Sequence, residues 1–136
     1  MKSIFADTGY WIALLSPGDG LHGKVQEVSA TLAGATIVTS DWVLAELLNS
    51  FAGRGPQLRQ VASTAVVALK ENPNVIVVVQ SRDSFTQAFD LYRERADKGW
   101  SLTDCSSFLI MRQRGIDAAL TGDKHFEQAG FSALMR

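Results

Sequence analysis

The sequence predicts an α/β fold: a three-layer α/β/α sandwich with a central parallel sheet. Three observations carry this. Four short apolar runs, Ser3–Ala6, Ile37–Ser40, Val75–Val79 and Ala118–Thr121, have strand character. They contain little polar alternation, as expected of strands covered on both faces. Segments with three- and four-residue apolar spacing lie between them, and strands alternating with helices imply right-handed crossovers around a parallel sheet.

In chain order, Ser3–Ala6 leads into a short helix at Thr8–Leu15, with a second at Gly23–Leu32. The run Ile37–Ser40 precedes a helix at Asp41–Phe51. After Pro56, which suits a first helical turn, Leu58, Val61, Ala62, Ala65, Val66 and Leu69 recur at helical steps, and Asn72-Pro73 supplies the stop. Val75-Ile-Val-Val-Val is β-branched throughout and too short for a helix. Phe85, Ala88, Phe89, Tyr92 and Ala96 mark the next helix, which Asp83 or Ser84 is placed to cap. Leu102–Arg114 forms the last predicted helix, ended by Gly115.

The 136 residues suit one domain spanning 1–136. With 46% hydrophobic and 20% charged residues, the composition argues against disorder. Net charge is −1, a poor match to gripping long nucleic acid by bulk electrostatics, so any nucleic-acid function needs local basic patches. Cys105 is the single cysteine, so no internal disulfide forms. The N-terminus lacks the long uncharged core of a signal peptide, and no run approaches the ~20 apolar residues of a membrane span. The expectation is a soluble, cytoplasmic protein with no membrane partner.

Four acids stand out against ordinary explanations. Asp7 follows the first strand and precedes a helix, where capping alone explains an Asp. Glu46 is the only charged residue between Asp41 and Arg54, on a helix apolar nearly all round, where a carboxylate is costly without a partner, a metal or water. Asn49 lies three residues on and supports Glu46 or shares its polar strip. Ser101-x-x-Asp104 reads as a variant capping box. Asp123 follows the fourth strand, where turn or cap residues are common.

The combination outweighs the separate explanations. Ligands bind beyond the carboxyl ends of strands in open parallel sheets, and Asp7 and Asp123 sit just past strand ends. Converging carboxylates repel one another and call for a cation. With no His or Cys expected nearby, hard oxygen donors select magnesium or manganese over zinc. Such a site orients water for attack on a phosphodiester. His22 and His125 lack zinc-ligand spacing and read as surface or packing residues, His125 near the site mouth. Cys105 reads as a core residue, and Trp11, Trp42 and Trp100 as core or interface aromatics.

These motifs together resemble the PIN-domain nucleases, particularly VapC-type toxins of prokaryotic toxin–antitoxin pairs. The matching pieces are Phe5-Ala-Asp7-Thr8, Leu44-Ala-Glu46-Leu-Leu-Asn49, Ser101-Leu-Thr103-Asp104, Leu120-Thr-Gly-Asp123-Lys-His-Phe126 and Gln128-Ala-Gly-Phe131. The resemblance implies a PIN-like sandwich and a magnesium- or manganese-dependent endoribonuclease, with Asp7, Glu46, Asp104 and Asp123 as catalytic metal ligands. Thr8, Thr103 and Thr121 become supporting hydroxyls. Gly9 departs from the pattern, where Ser or Asn is frequent. RNA contact falls to Arg54, Arg59, Arg82, Lys98, Arg112 and Lys124. The resemblance also implies a homodimer and an antitoxin partner whose tail enters the acidic groove.

Other classes fit less well. Asp7-Thr8-Gly9 imitates an aspartic-protease signature, but that fold is all-β. A phosphoacceptor receiver domain needs paired acids after the first strand and an Asp after the third, and neither is present. A PIN fold that only binds partners, its metal site idle, is the remaining alternative.

Overall fold

The computed structural model describes residues 2–136. The elements run β1 (Ser3–Ala6), α1 (Thr8–Leu15), α2 (His22–Ser29), β2 (Thr36–Ser40), α3 (Asp41–Phe51), α4 (Pro56–Glu71) and β3 (Val75–Val78), then α5 (Arg82–Glu94), α6 (Leu102–Arg114), β4 (Ala118–Leu120), α7 (Lys124–Gln128) and β5 (Ser132–Ala133). The strands form one parallel sheet in the order β3-β2-β1-β4-β5.

From β1 the chain steps to β2 and then β3 on one side, and returns past β1 to β4 and β5 on the other. Right-handed crossovers therefore place α1–α4 on one face of the sheet and α5–α7 on the opposite face. This gives the three-layer sandwich expected.

The central strands are apolar for the reason predicted. Ile4, Phe5 and Ala6 of β1 and Ala118, Ala119 and Leu120 of β4 are buried. Beneath α6 and α7, Phe108 packs edge-on against both Trp100 and Phe126, and Phe126 also stacks near Phe5. On the other face, the Trp11 indole N–H donates to Thr39 Oγ1, which donates to the Ala6 carbonyl. That chain satisfies polar groups in an otherwise apolar layer.

Four sequence expectations need adjustment. β3 is a sheet edge, so its β-branched run is not covered on both sides: Ile76 is exposed, and Val79, just past the strand, is 73% exposed. The cap of α5 is Ser81, whose hydroxyl accepts from the Ser84 N–H while Ser84 Oγ accepts from the Ser81 N–H, so Ser84 is the far half of the box and not the cap. The second helix begins at His22 and stops at Ser29. Two short elements, α7 and β5, follow β4 without a period long enough to announce them. The stop at Gly115 is as expected, with φ 66° in the left-handed region glycine favours.

Candidate functional site

Strand order reverses between β1 and β4, and in an open parallel sheet that switch point opens a crevice at the carboxyl ends. Asp7 leaves β1 there. The register Ala6↔Leu120 sets it beside Thr121, and the Asp7 N–H donates to the Leu120 carbonyl. The buried Thr121 hydroxyl donates to Asp7 Oδ2 at 3.0 Å and accepts from the Asp123 N–H at 3.1 Å.

Asp7 stands at the N-cap of α1, yet its side chain makes no capping hydrogen bond. Asp7 is 8% exposed and lines the crevice. Burial pushes its pKa up to about 7, against the lowering effect of the Thr8 amide and the Thr121 hydroxyl, and the charges of Asp104 and Glu46 push it further up.

Glu46 reaches the same crevice from α3. The Thr8 hydroxyl donates to its Oε1 at 2.7 Å, which explains how one carboxylate sits half-buried on an otherwise apolar helix. Asn49, one turn on, is exposed and makes no hydrogen bond to the acids among the described residues.

Asp104 is held by its own backbone. Its Oδ2 accepts from the Ser101 N–H, and Ser101 Oγ accepts from the Asp104 N–H, so the capping box is real. Burial raises the Asp104 pKa, opposed by the Ser101 N–H and by His125, while Asp123 adds to the rise. Asp123 caps α7, its Oδ1 accepting from the His125 N–H at 2.9 Å. For these two acids the capping and site readings are both true: the oxygens that accept the backbone N–H groups, Asp104 Oδ2 and Asp123 Oδ1, are also the ones that face His125 Nδ1. Thr103, beside Asp104 on the first turn of α6, is buried.

The four acids line one cleft of about 460 Å³, together with Thr8, Gly9, Ile12, Leu21, Gly99, Ser101, Thr121, Gly122 and His125. Among the described residues none of the four is paired with a lysine or arginine. Uncompensated, partly desolvated carboxylates facing one space fit a divalent cation. At Gly9 a Cβ would meet nothing within 4 Å, so the missing hydroxyl leaves open room in the cleft wall.

One expectation is overturned. The ligand reading counted no histidine near the acids, but His125 Nδ1 lies 3.2 Å from Asp104 Oδ2 and 3.3 Å from Asp123 Oδ1. The signal was Asp123-x-His125: at a helix start, this spacing brings the residue two past the cap back beside it. His22, by contrast, is a packing residue whose Nδ1 meets the Ala13 carbonyl. Cys105 is fully buried and its thiol pKa is raised by burial, so it is no nucleophile. Trp11 and Trp100 are core, while Trp42 stacks on Phe85 at the surface of α5. Of the basic residues, Lys98 and Lys124 adjoin cleft residues in sequence, whereas Arg112 sits ~12 Å along α6 from Asp104. Arg59 donates to the Ala52 carbonyl, and Arg54 lies over the Phe51 ring.

Comparison with known proteins now defines the class. The PIN domain pattern matches residues 4–132, and the chain belongs to the PIN-domain family of metal-dependent nucleases. Within that family it is similar to the 23S rRNA-specific endonuclease VapC20 of Mycobacterium tuberculosis, at 33% identity over 131 residues, covering 94% of this chain and 95% of that protein. The crystal structure of that sarcin-ricin loop cleaving toxin superposes with a TM-score of 0.84 at 30% identity, over 94% of this chain and 95% of that one. VapBC2 from Rickettsia felis, bound to a promoter DNA fragment, shares the fold at TM-score 0.66 and 15% identity, covering 96% of each chain. FitAcB from Neisseria gonorrhoeae does so at 0.63 and 16%, covering 96% of this chain and 94% of that one.

Proposed function

We propose that this chain is the toxin of a toxin–antitoxin pair, a single-domain endoribonuclease acting in the cytoplasm on a structured loop of ribosomal RNA. The observation that carries it is the convergence of Asp7, Glu46, Asp104 and Asp123 in one cleft without a basic partner. The RNA class is suggested by the M. tuberculosis relative, similar along nearly the whole chain.

Asp7, Asp104 and Asp123, with Glu46 across the cleft, would hold magnesium or manganese. When bound, that cation supplies Lewis acidity toward a phosphate oxygen and lowers the pKa of a water. Thr121 aims the Asp7 carboxylate and fixes the Asp123 backbone; Thr8 aims Glu46. Thr103 and Asn49 flank Asp104 and Glu46 on α6 and α3 without lining the cleft, and their supporting role is assigned from that adjacency. Lys98 and Lys124 attract RNA phosphates toward a cleft that is otherwise acidic.

Two partners follow. An exposed apolar stripe of Ile76, Val79, Phe85, Phe89 and Tyr92 adjoins the sheet edge at β3 and supports a homodimer. The antitoxin is a protein whose tail enters the acidic cleft. No helix among the described residues is long and apolar enough to cross a membrane.

The test is incubation of purified protein with ribosomes and with a short hairpin copying the sarcin-ricin loop. Specific cleavage is expected with magnesium or manganese, none with excess EDTA, and none from Asp7→Asn. Cleavage that persists in EDTA refutes the cation-dependent mechanism.

A further inference from the structure

We infer that His125 is a nitrogen ligand of the cleft cation, and that the site therefore favours manganese and other first-row transition ions over magnesium. This rests on the cation-dependent reading above and assigns it a further ligand.

Three ligand atoms, one each from Asp104, Asp123 and His125, lie within 4.8 Å of one another. The Nδ1 atom of His125 is 3.2 Å from an Asp104 oxygen and 3.3 Å from an Asp123 oxygen, nearly equidistant. Two ligands at right angles around an ion with ~2.1 Å bonds stand about 3 Å apart. The observed separations match that edge. Each of the two oxygens also accepts a backbone N–H, from Ser101 and from His125 itself. Those bonds fix both carboxylates from the helix side and leave the ring edge free to share a cation with them.

The imidazole is anchored through its backbone. Asp123 caps α7 by accepting the His125 N–H, so the two residues move as one turn. The far nitrogen, Nε2, lies 3.7 Å from the position a Cβ on Gly99 would take, so the Gly99 loop closes over that side of the ring. The ring thus presents Nδ1 to the acids. A neutral imidazole suits zinc, copper, iron and nickel, and it raises affinity for borderline ions along the series from manganese upward. Magnesium keeps its waters and gains least from a nitrogen donor.

The experiment uses the intact protein loaded with Mn2+ alone, read by pulsed electron paramagnetic resonance. The chain has two histidines, and His22 is committed to the Ala13 carbonyl, outside the cleft. Nitrogen modulation from a directly bound imidazole is expected in the wild type. It should change character in protein grown on 15N-histidine, disappear in His125→Gln, and persist in His22→Gln. Titration calorimetry should show His125→Gln weakening Mn2+ about tenfold or more while changing Mg2+ far less. His125→Asn serves as a second variant, because Asn keeps a polar group at the same turn.

Mn2+ bound without any nitrogen signal overturns the inference, as does equal weakening of Mn2+ and Mg2+, which marks His125 as a hydrogen-bond donor to the acids. Failure of Mn2+ to bind the wild type at all refutes the cation-dependent reading itself, a separate outcome.

Discussion

The Thr121 hydroxyl joins Asp7 to the far end of the sequence, donating to its Oδ2 at 3.0 Å across a separation of 114 residues. Thr121 Oγ1 also accepts the Asp123 N–H, so one buried side chain sets the spacing between two acids. Thr121→Val keeps the shape and removes both bonds. It should destabilise the fold by about 1–3 kcal/mol, because a buried carboxylate and an amide lose their partner. Groups that orient metal ligands typically matter about 10–100-fold, and RNA cleavage should fall by that factor, with Thr121→Ser recovering both properties. Thermal melts and a hairpin cleavage assay decide it; wild-type rates from Thr121→Val remove the hydroxyl from the site.

The pKa of Asp7 fixes a pH dependence. A carboxyl ordinarily near 3.8 is raised to about 7 in the folded state. Between those values the native state holds a proton that the unfolded chain releases. Without a divalent cation, this group's contribution therefore favours folding at low pH and declines as pH rises through about 4 to about 7, by an amount on the order of a few kcal/mol. Asp7→Asn removes that decline and should melt above the wild type at pH 8 in EDTA. A cation competes with the proton, so the manganese-induced rise in melting temperature should be larger at pH 8 than at pH 6. A cation shift equal at both values, or an Asp7→Asn melt below the wild type at pH 8, contradicts the account.

Asp104 separates capping from chemistry. Asn at this position retains an oxygen for the Ser101 N–H, so Asp104→Asn should fold with nearly native stability while cleavage collapses. Asp104→Ala loses the cap as well and should cost ~1 kcal/mol more. If the Asn variant cleaves normally, Asp104 is only a cap.

The exposed aromatic stripe predicts a dimer. Trp42 of α3 stacks on Phe85 of α5, which stacks in turn near Phe89, and Val79 and Tyr92 extend the apolar surface. Sedimentation should show a homodimer for the wild type and a monomer for a Val79→Glu, Phe89→Glu double variant. A monomeric wild type at micromolar concentration disproves it.

How much of this is legible in the sequence follows from length and environment. β1 and β4 announce themselves because both faces are buried, and the helices from Pro56 and Leu102 because they hold several turns of periodic spacing. α7, with five residues, and β5, with two, are too short for any period to register. The Val75–Val79 run looks like a central strand because β-branching reports strand character and not position in the sheet. On α4 the same limit operates: Ala62 is buried, but Leu58 and Val61 of the same stripe are exposed. The four acids are legible as a set because Asp7, Asp104 and Asp123 stand at strand or helix ends and Glu46 breaks an otherwise apolar helix stretch. His125 is legible only in part: Asp123-x-His125 sets it beside the cap, but only the fold brings its ring against Asp104, 21 residues away.

The pairing of β1 with β4 has a consequence for synthesis. Asp7 is among the first residues made, but its neighbour in the cleft wall, Thr121, belongs to a segment translated near the end. A nascent chain halted before Ala118 can pair β1 with β2 on one side only, and it lacks Thr121, Asp123 and His125 on the other. Such a chain already holds Asp7, Glu46 and Asp104, but the wall of the cleft formed by Thr121, Gly122, Asp123 and His125 is missing. The cleft is complete only once β4 and the turn behind it have emerged and slotted in beside β1.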